Sequence, residues 1–229
     1  MKLPNSRSES ISRGQFAPPA DPAAPEACAA VRIEVLPCRT EALLLEAKKL
    51  RYEVYCDELG RQSCNADHEN RVLSDNLDQT GHTFIAREGG QTVGTVRVNF
   101  AWEGSISPYD ELYDCDAWRR YQGRAAICTK LAVRSVSRSS DALLHLLAAA
   151  LQLVIRNDAS ACFIDSLPRF TPLYARLGFI RTGEPFMHHE NGLSDRLVLE
   201  LVRYRGLIPS DDTLGGLRRL LRNAQAATR

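Results

Sequence analysis

The sequence predicts a mixed α/β (α+β) domain built on one twisted sheet, and three observations lead to it. Two stretches, residues 40–60 and 139–157, carry apolar residues at helical spacing. Two strand-like runs are joined by Glu88-Gly89-Gly90-Gln91, a hairpin signature. An apolar run, Ala126-Ile127-Cys128-Thr129-Lys130-Leu131-Ala132-Val133, has the length and character of a central strand.

Each element follows in chain order. Residues 1–29 are rich in Ser, Pro and Ala and poor in large apolar residues, so they read as a disordered leader that cannot offset its own ordering entropy. Val31–Leu36 alternates toward an apolar face, and Pro37 ends it. Thr40 is placed to cap a helix that runs to Gly60, with Leu43, Leu44, Ala47, Leu50, Val54 and Leu59 on one stripe. Residues 61–80 are polar and irregular, the kind of long connection that often carries function. His82–Arg87 and Thr92–Val98 form the hairpin. Residues 101–123 make a second long connection with a short helix near Tyr109–Tyr121. After the apolar central strand, a helix extends from about Ser139 to Asn157, with Ser139 or Ser140 as N-cap and Leu143, Leu144, Leu146, Leu147, Leu151, Val154 and Ile155 facing inward. Cys162–Asp165 is a short strand, Pro172–Gly178 a helical turn, and strands begin at Phe179 and at Ser194. Asp211–Arg229 reads as an amphipathic helix with Leu214, Leu217, Leu220 and Leu221 on one side and Arg218, Arg219 and Arg222 on the other; docking to the protein surface is expected rather than membrane attachment. The organisation expected is therefore a leader over 1–29, one domain over 30–205 and a helical tail over 206–229.

Bulk properties narrow the function. The chain has 229 residues and a formal net charge of +1, so no overall field recruits nucleic acid. The 7 cysteines are odd in number and lack C-x-x-C spacing, which argues against a disulfide framework and a zinc site and for reduced thiols in the cytoplasm. No apolar run approaches the roughly 20 residues that span a bilayer, and the N-terminus has no secretory h-region. Asp67-His68-Glu69 and His188-His189-Glu190 look like metal ligands but read as solvated loop residues, since adjacent side chains rarely converge. Cys128 reads as a small buried hydrophobe.

The segment Pro172-Leu173-Tyr174-Ala175-Arg176-Leu177-Gly178-Phe179-Ile180 resembles the helix-to-strand junction of the GCN5-related N-acyltransferase (GNAT) superfamily. The element order β-α-β-β-β-α-β-α-β-β is similar to the plan of that superfamily, which implies a central mixed sheet with helices on both faces. The resemblance implies that Tyr174 lies beside the sulfur of a pantetheine thioester and assists the departing thiolate. It implies that backbone groups of Leu131, Ala132 and Val133 pair with the pantetheine arm where two central strands splay, one N–H polarising the thioester carbonyl. The superfamily's donor motif, Arg/Gln-x-x-Gly-x-Gly/Ala, matches Arg134-Ser135-Val136-Ser137-Arg138-Ser139, with serine at both small-residue positions. A helix N-terminus suits a phosphate, but serine crowds the close approach that a diphosphate needs. A single phosphate, as on acyl carrier protein, fits this departure better, with Arg134, Ser137, Arg138 and Ser139 around it; the same residues also read as solvated charges and helix caps.

Three further motifs occur in order: Leu50-Arg51-Tyr52-Glu53-Val54-Tyr55, then Asp75-Asn76-Leu77-Asp78, then Gly94-Thr95-Val96-Arg97. Together they resemble autoinducer (acyl-homoserine-lactone) synthases and, more closely, N-acyl amino acid synthases. The resemblance covers roughly residues 31–203 and assigns Arg51, Tyr55, Asp75, Asp78 and Arg97 to the acceptor and acyl pockets. Two arginines and two aspartates satisfy the pairing that buried charges require, and they also read as structural ion pairs. Autoinducer synthases carry a glutamate and an arginine on the strand where this chain has Ile127 and Lys130, which favours the amino-acid-acylating branch. The general base is then open among Asp165 and a water-linked Asp75 or Asp78.

The function expected is transfer of a long-chain acyl group from an acyl carrier protein or coenzyme A thioester to the amine of an amino acid, with no resident cofactor and no metal. One rival is an acetyl-coenzyme A N-acetyltransferase; a long apolar tunnel between the sheet and residues 101–123 favours fatty acyl groups, and a closed pocket favours acetyl. The other is a catalytically silent module that binds acyl carrier protein.

Overall fold

In a computed structural model, the structure describes residues 32–138, 141–204 and 212–226. The expected leader falls outside them. The sheet is assembled from β1 (Ile33–Pro37), β4 (His82–Glu88), β5 (Gln91–Phe100), β6 (Ala125–Val133), β7 (Ala161–Ser166), β10 (Gly192–Glu200) and β8 (Ile180–Arg181), which neighbour one another in that order. β9 (Phe186–His188) adds to β10 as a hairpin. β6 and β7 run parallel and the other neighbours run antiparallel. The β4–β5 turn has Gly89 and Gly90 at φ 57° and 83°, the pair of left-handed residues that a tight hairpin demands.

Helix α1 (Glu41–Tyr52) is capped by Thr40, whose side chain accepts from the Leu43 amide. It continues not as α-helix to Gly60, as its apolar stripe suggests, but as a π-helical segment over Glu53–Glu58. One wider turn changes which residues point inward, and such turns recur at functional sites. Residues 61–80 are less irregular than their polarity implies: β2 (Ala66–Asp67) pairs with β3 (Val72–Leu73), and a 3₁₀ turn over Asn76–Asp78 is closed by a capping box between Asp75 and Asp78. The second long connection holds α2 (Tyr109–Leu112) and α3 (Asp116–Tyr121).

The other face carries α4 (Ala142–Arg156), α5 (Thr171–Arg176), α6 (Leu201–Tyr204) and α7 (Thr213–Ala226). Asp141 occupies the N-cap position of α4 without a side-chain capping bond; Ser139 and Ser140 lie outside the described residues. Leu146, Leu147, Leu151 and Val154 of α4 are fully buried because the helix is covered by the sheet on one side and by α7 on another. Leu217 of α7 is 0% exposed, and Arg218 pairs with Asp141, so this helix docks on α4 as expected. The strand expected from Phe179 is only β8, two residues long, before the chain turns into β9. No helix among the described residues is long and apolar enough to cross a membrane.

Candidate active site

β6 and β7 pair only over Ala125–Ala161, Ala126–Cys162 and Ile127–Phe163. Beyond that point the two strands part, leaving the β7-facing edge of Cys128–Val133 without a strand. A bulge in β6 lies just beyond the point of parting. Arg97 pairs with Thr129 and Thr95 with Ala132, so Lys130 and Leu131 together face Val96. Lys130 takes φ 53°, costly for a residue with a side chain. An extra residue in one strand increases local twist and re-aims side chains. At the closed end of the gap the thiols of Cys128 and Cys162 lie 3.4 Å apart.

Two tyrosines flank this gap. Tyr55, brought inward by the π-helical segment, donates its hydroxyl to the Leu131 carbonyl at 3.0 Å. Burial pushes its phenol up to about 12. Tyr174 lies in α5 with its ring edge-on to Phe179 at 5.7 Å, and its hydroxyl has no hydrogen-bond partner among the described residues. Burial raises the Tyr174 phenol strongly, with Tyr55, Asp165 and Cys128 adding to it, so it stays protonated at any physiological pH.

On the α1 side of the sheet lies a closed ion network. Arg51 and Arg97 are both 0% exposed. Arg51 donates to Asp78 at 2.7 Å and to Thr83 at 3.2 Å. Arg97 donates to Thr129 through Nε, to Asp75 and Asp78 through Nη1, and to Asp75 through Nη2. Gly81 makes this possible: a Cβ there would lie 2.6 Å from Arg97 Cδ. Burial works against both carboxylates, but Arg97, Lys130 and Arg51 outweigh it, holding Asp75 at about 2 and Asp78 below the usual range. The four residues tie α1, the 3₁₀ turn and β5 together; every nitrogen of the Arg97 guanidinium has a partner, while Arg51 Nε is buried with none among the described residues.

A second cluster was not legible in the sequence. The turn after β9, expected to be solvated, is folded into the site: His188 is 2% exposed and the Glu190 side chain 10%. Glu190 accepts from Lys130 Nζ at 2.6 Å and from Ser63 at 2.8 Å. Burial favours its neutral form, yet Lys130 and Ser63 hold its carboxyl below the usual range. Lys130 also lies 3.3 Å from Asp75, so it joins the two clusters. The His188 Nδ1 accepts from the amides of Glu190 and Asn191, which leaves its proton on Nε2, 4.0 Å from Asp165 and without a hydrogen-bond partner among the described residues. Burial depresses its basicity. Asp165 accepts from the Tyr113 hydroxyl at 2.9 Å and from Asn191 Nδ2 at 2.8 Å. One signal did point here: a lysine inside the apolar run Ala126–Val133 needs a buried anion, and β6 itself supplies none. No group of His, Cys, Asp and Glu among the described residues is arranged to hold a metal.

The loop after β6, expected from the sequence to bind the donor, pairs with the protein's own carboxylates. Arg134 pairs with Glu53 at 2.8 Å and Arg138 with Glu58 at 2.5 Å. The same Glu58 accepts from the amide and hydroxyl of Ser135, while Ser137 donates to Glu88. Both arginines are paired with the protein's own carboxylates, neither bound to a phosphate nor left as an unpaired surface charge, and Ser139 lies outside the described residues. The space between the sheet and residues 101–123 is filled by Tyr109, Tyr113 and Trp118 against Ile127 and Phe163, each at most 5% exposed. A cavity of about 690 Å³ lies elsewhere, between β1, β4, α4 and the start of α7.

Comparison with known proteins gives three findings. The family model of the N-acyl amino acid synthase FeeM matches residues 46–199. No curated protein sequence matches the chain. Among solved structures, FeeM from uncultured soil microbes is similar at 18% identity, covering 77% of this chain and 94% of that one with a TM-score of 0.58. The acyl-homoserine-lactone synthase LasI is similar at 18% identity over 75% and 91%, TM-score 0.59. BjaI, a coenzyme A-dependent acyl-homoserine lactone synthase solved with S-adenosylmethionine and isopentyl-coenzyme A, is similar at 17% identity over 83% and 89%, TM-score 0.61. At these identities the likeness to solved structures is one of fold.

Proposed function

This chain belongs to the family of the N-acyl amino acid synthase FeeM, and from that premise we propose that it transfers an acyl group from a phosphopantetheine thioester to the amine of an amino acid. The observation that carries the reading is the parting of β6 from β7 beyond Ile127–Phe163, with Tyr174 and Leu131 at its edges. An extended pantetheine arm completes the unpaired edge of β6 as a further strand would.

The amine attacks the thioester carbonyl, the C–N bond forms, and the C–S bond breaks. A backbone N–H of Leu131–Val133 receives the developing oxyanion. Tyr174 hydrogen-bonds the departing sulfur; burial makes its phenol a much weaker acid than a simple thiol, whose pKa is about 8.5, so it stabilises the thiolate without fully surrendering its proton. The amine's proton passes to Asp165, whose carboxylate is oriented by Tyr113 and Asn191. Holding both reactants in one cleft supplies about 7–11 kcal/mol of the barrier reduction. Arg51, Arg97, Asp75 and Asp78 shape the acceptor side as a rigid wall.

Supplying the protein with acyl thioesters and an amino-acid mixture, and following thiol release together with mass spectrometry of the products, tests the proposal. New N-acyl amino acids support it; thiol release without amide, or no consumption of any thioester, sinks it. Running acyl carrier protein and coenzyme A donors side by side identifies the carrier.

The filled space around Tyr113 and Trp118 favours a second reading, transfer of short acyl groups such as acetyl. A thioester series from acetyl to palmitoyl separates the two: a long-chain optimum requires these aromatic rings to give way, whereas an acetyl optimum leaves them in place.

A further inference from the structure

Most cations around the slot are spent on carboxylates: Arg51 on Asp78, Arg97 on Asp75 and Asp78, Lys130 on Glu190 and Asp75, Arg134 on Glu53, Arg138 on Glu58. Arg61 differs. Its guanidinium lies over the Tyr55 ring, 4.6 Å from the centroid, and donates to the neutral amide oxygen of Asn191. It is half-buried and has no carboxylate partner among the described residues. It is nonetheless fixed from two sides, by the tyrosine that bonds Leu131 and by the turn that carries Glu190. An immobilised guanidinium without a counter-ion is a ready receptor for a carboxylate, since much of its ordering cost has been met before binding.

We propose that Arg61 recognises the α-carboxylate of the acceptor, so that the enzyme selects amino acids over simple amines. The inference rests on the acyltransfer reading above and adds the residue that sets its acceptor class. Asn191 links the two halves of the recognition. Its Oδ1 accepts from Arg61, and its Nδ2 donates to Asp165 at 2.8 Å. A cation and a carboxylate thus flank one amide group, matching the opposite charges that an amino acid zwitterion carries across a single carbon. Aromatic stacking suits arginine and not lysine for this post, because the planar guanidinium can lie on Tyr55 while its edge faces the ligand.

The test compares acylation of the common L-amino acids with acylation of their α-amides, which lack the carboxylate. For the wild-type protein the acid is the better substrate. Arg61→Gln lowers the kcat/KM ratio of acid to amide by about 10- to 100-fold, the worth of a charge-assisted hydrogen bond. Arg61→Lys, which keeps the charge and preserves the fold if the glutamine variant unfolds, retains part of the preference. An unchanged ratio in both variants overturns the inference. So does an increase in donor KM at constant ratio, which would assign Arg61 to the donor's phosphate instead. If the wild-type protein acylates no amine at all, the acyltransfer reading falls and takes this one with it. If it acylates amines with a ratio indifferent to residue 61, only the Arg61 assignment falls.

Discussion

Lys130 on β6 and Glu190 in the turn after β9 are bonded at 2.6 Å although 60 residues separate them. The pair joins a bulged central strand to a hairpin on the far side of the splay. It also supplies to the site a carboxylate that β6 lacks. Two such groups with side chains 4% and 10% exposed are costly to part, since loss of either leaves the other a poorer set of partners, Asp75 at 3.3 Å for Lys130 and Ser63 for Glu190.

Glu190→Gln is therefore expected to lower the unfolding free energy by about 3 kcal/mol, and Lys130→Met by a similar amount. The double variant recovers much of the loss, because removing both charges removes the desolvation cost as well. Urea denaturation of the four proteins in a double-mutant cycle measures this; simple additivity contradicts the coupling.

Acid titration reads the ion network. Asp75 is held at about 2, below the roughly 3.9 of an unfolded chain, so the unfolded state binds more protons between these values. The stabilisation is fully present above about pH 4 and is lost as pH falls toward 2, amounting to about 2 kcal/mol. Urea midpoints from pH 6 down to 2 record the slope. Asp75→Asn flattens it, and a variant with an undiminished slope removes Asp75 as its source.

Tyr174→Phe separates chemistry from packing. The ring contact with Phe179 is retained and the lost hydroxyl has no hydrogen-bond partner among the described residues, so stability changes by less than about 0.5 kcal/mol. Turnover is expected to fall about 100-fold with donor affinity unchanged. Full activity in the phenylalanine variant eliminates the hydroxyl from the reaction.

Glu58 accepts from Ser135 and Arg138 in the loop proposed to hold the donor's phosphate. Glu58→Ala frees Ser135 and Arg138 and lowers the KM for phosphate-bearing thioesters by about 10-fold. Thioesters of N-acetylcysteamine, which carry no phosphate, show no such change. Equal gains for both donor types locate the effect elsewhere.

Local signals carried much of the fold. Gly89-Gly90, the Thr40 cap and the apolar stripes of α1 and α4 were legible because each depends on neighbours within one turn or one strand. The pairing of Arg51 and Arg97 with Asp75 and Asp78 was anticipated from ordered motifs, since buried charges must come in compensating sets. The π-helical segment over Glu53–Glu58 was not, because its apolar stripe differs little from that of an α-helix. His188 and Glu190 read as solvated because polar residues at a turn usually are; what buries them is the hairpin folding back over Asp165 and Lys130.

The sequence by itself determined the order of strands and helices, the apolar faces they bury and the presence of a tyrosine-containing turn before a strand. Those features follow from periodicity and backbone preference, which act over a few residues. Only the tertiary structure decided that β6 and β7 part, that Glu190 meets Lys130, that Glu53 and Glu58 pair with Arg134 and Arg138 and that Arg61 meets no carboxylate among the described residues. Each depends on groups from distant segments arriving at one place, where the low dielectric of the interior makes every charge answer to its neighbours.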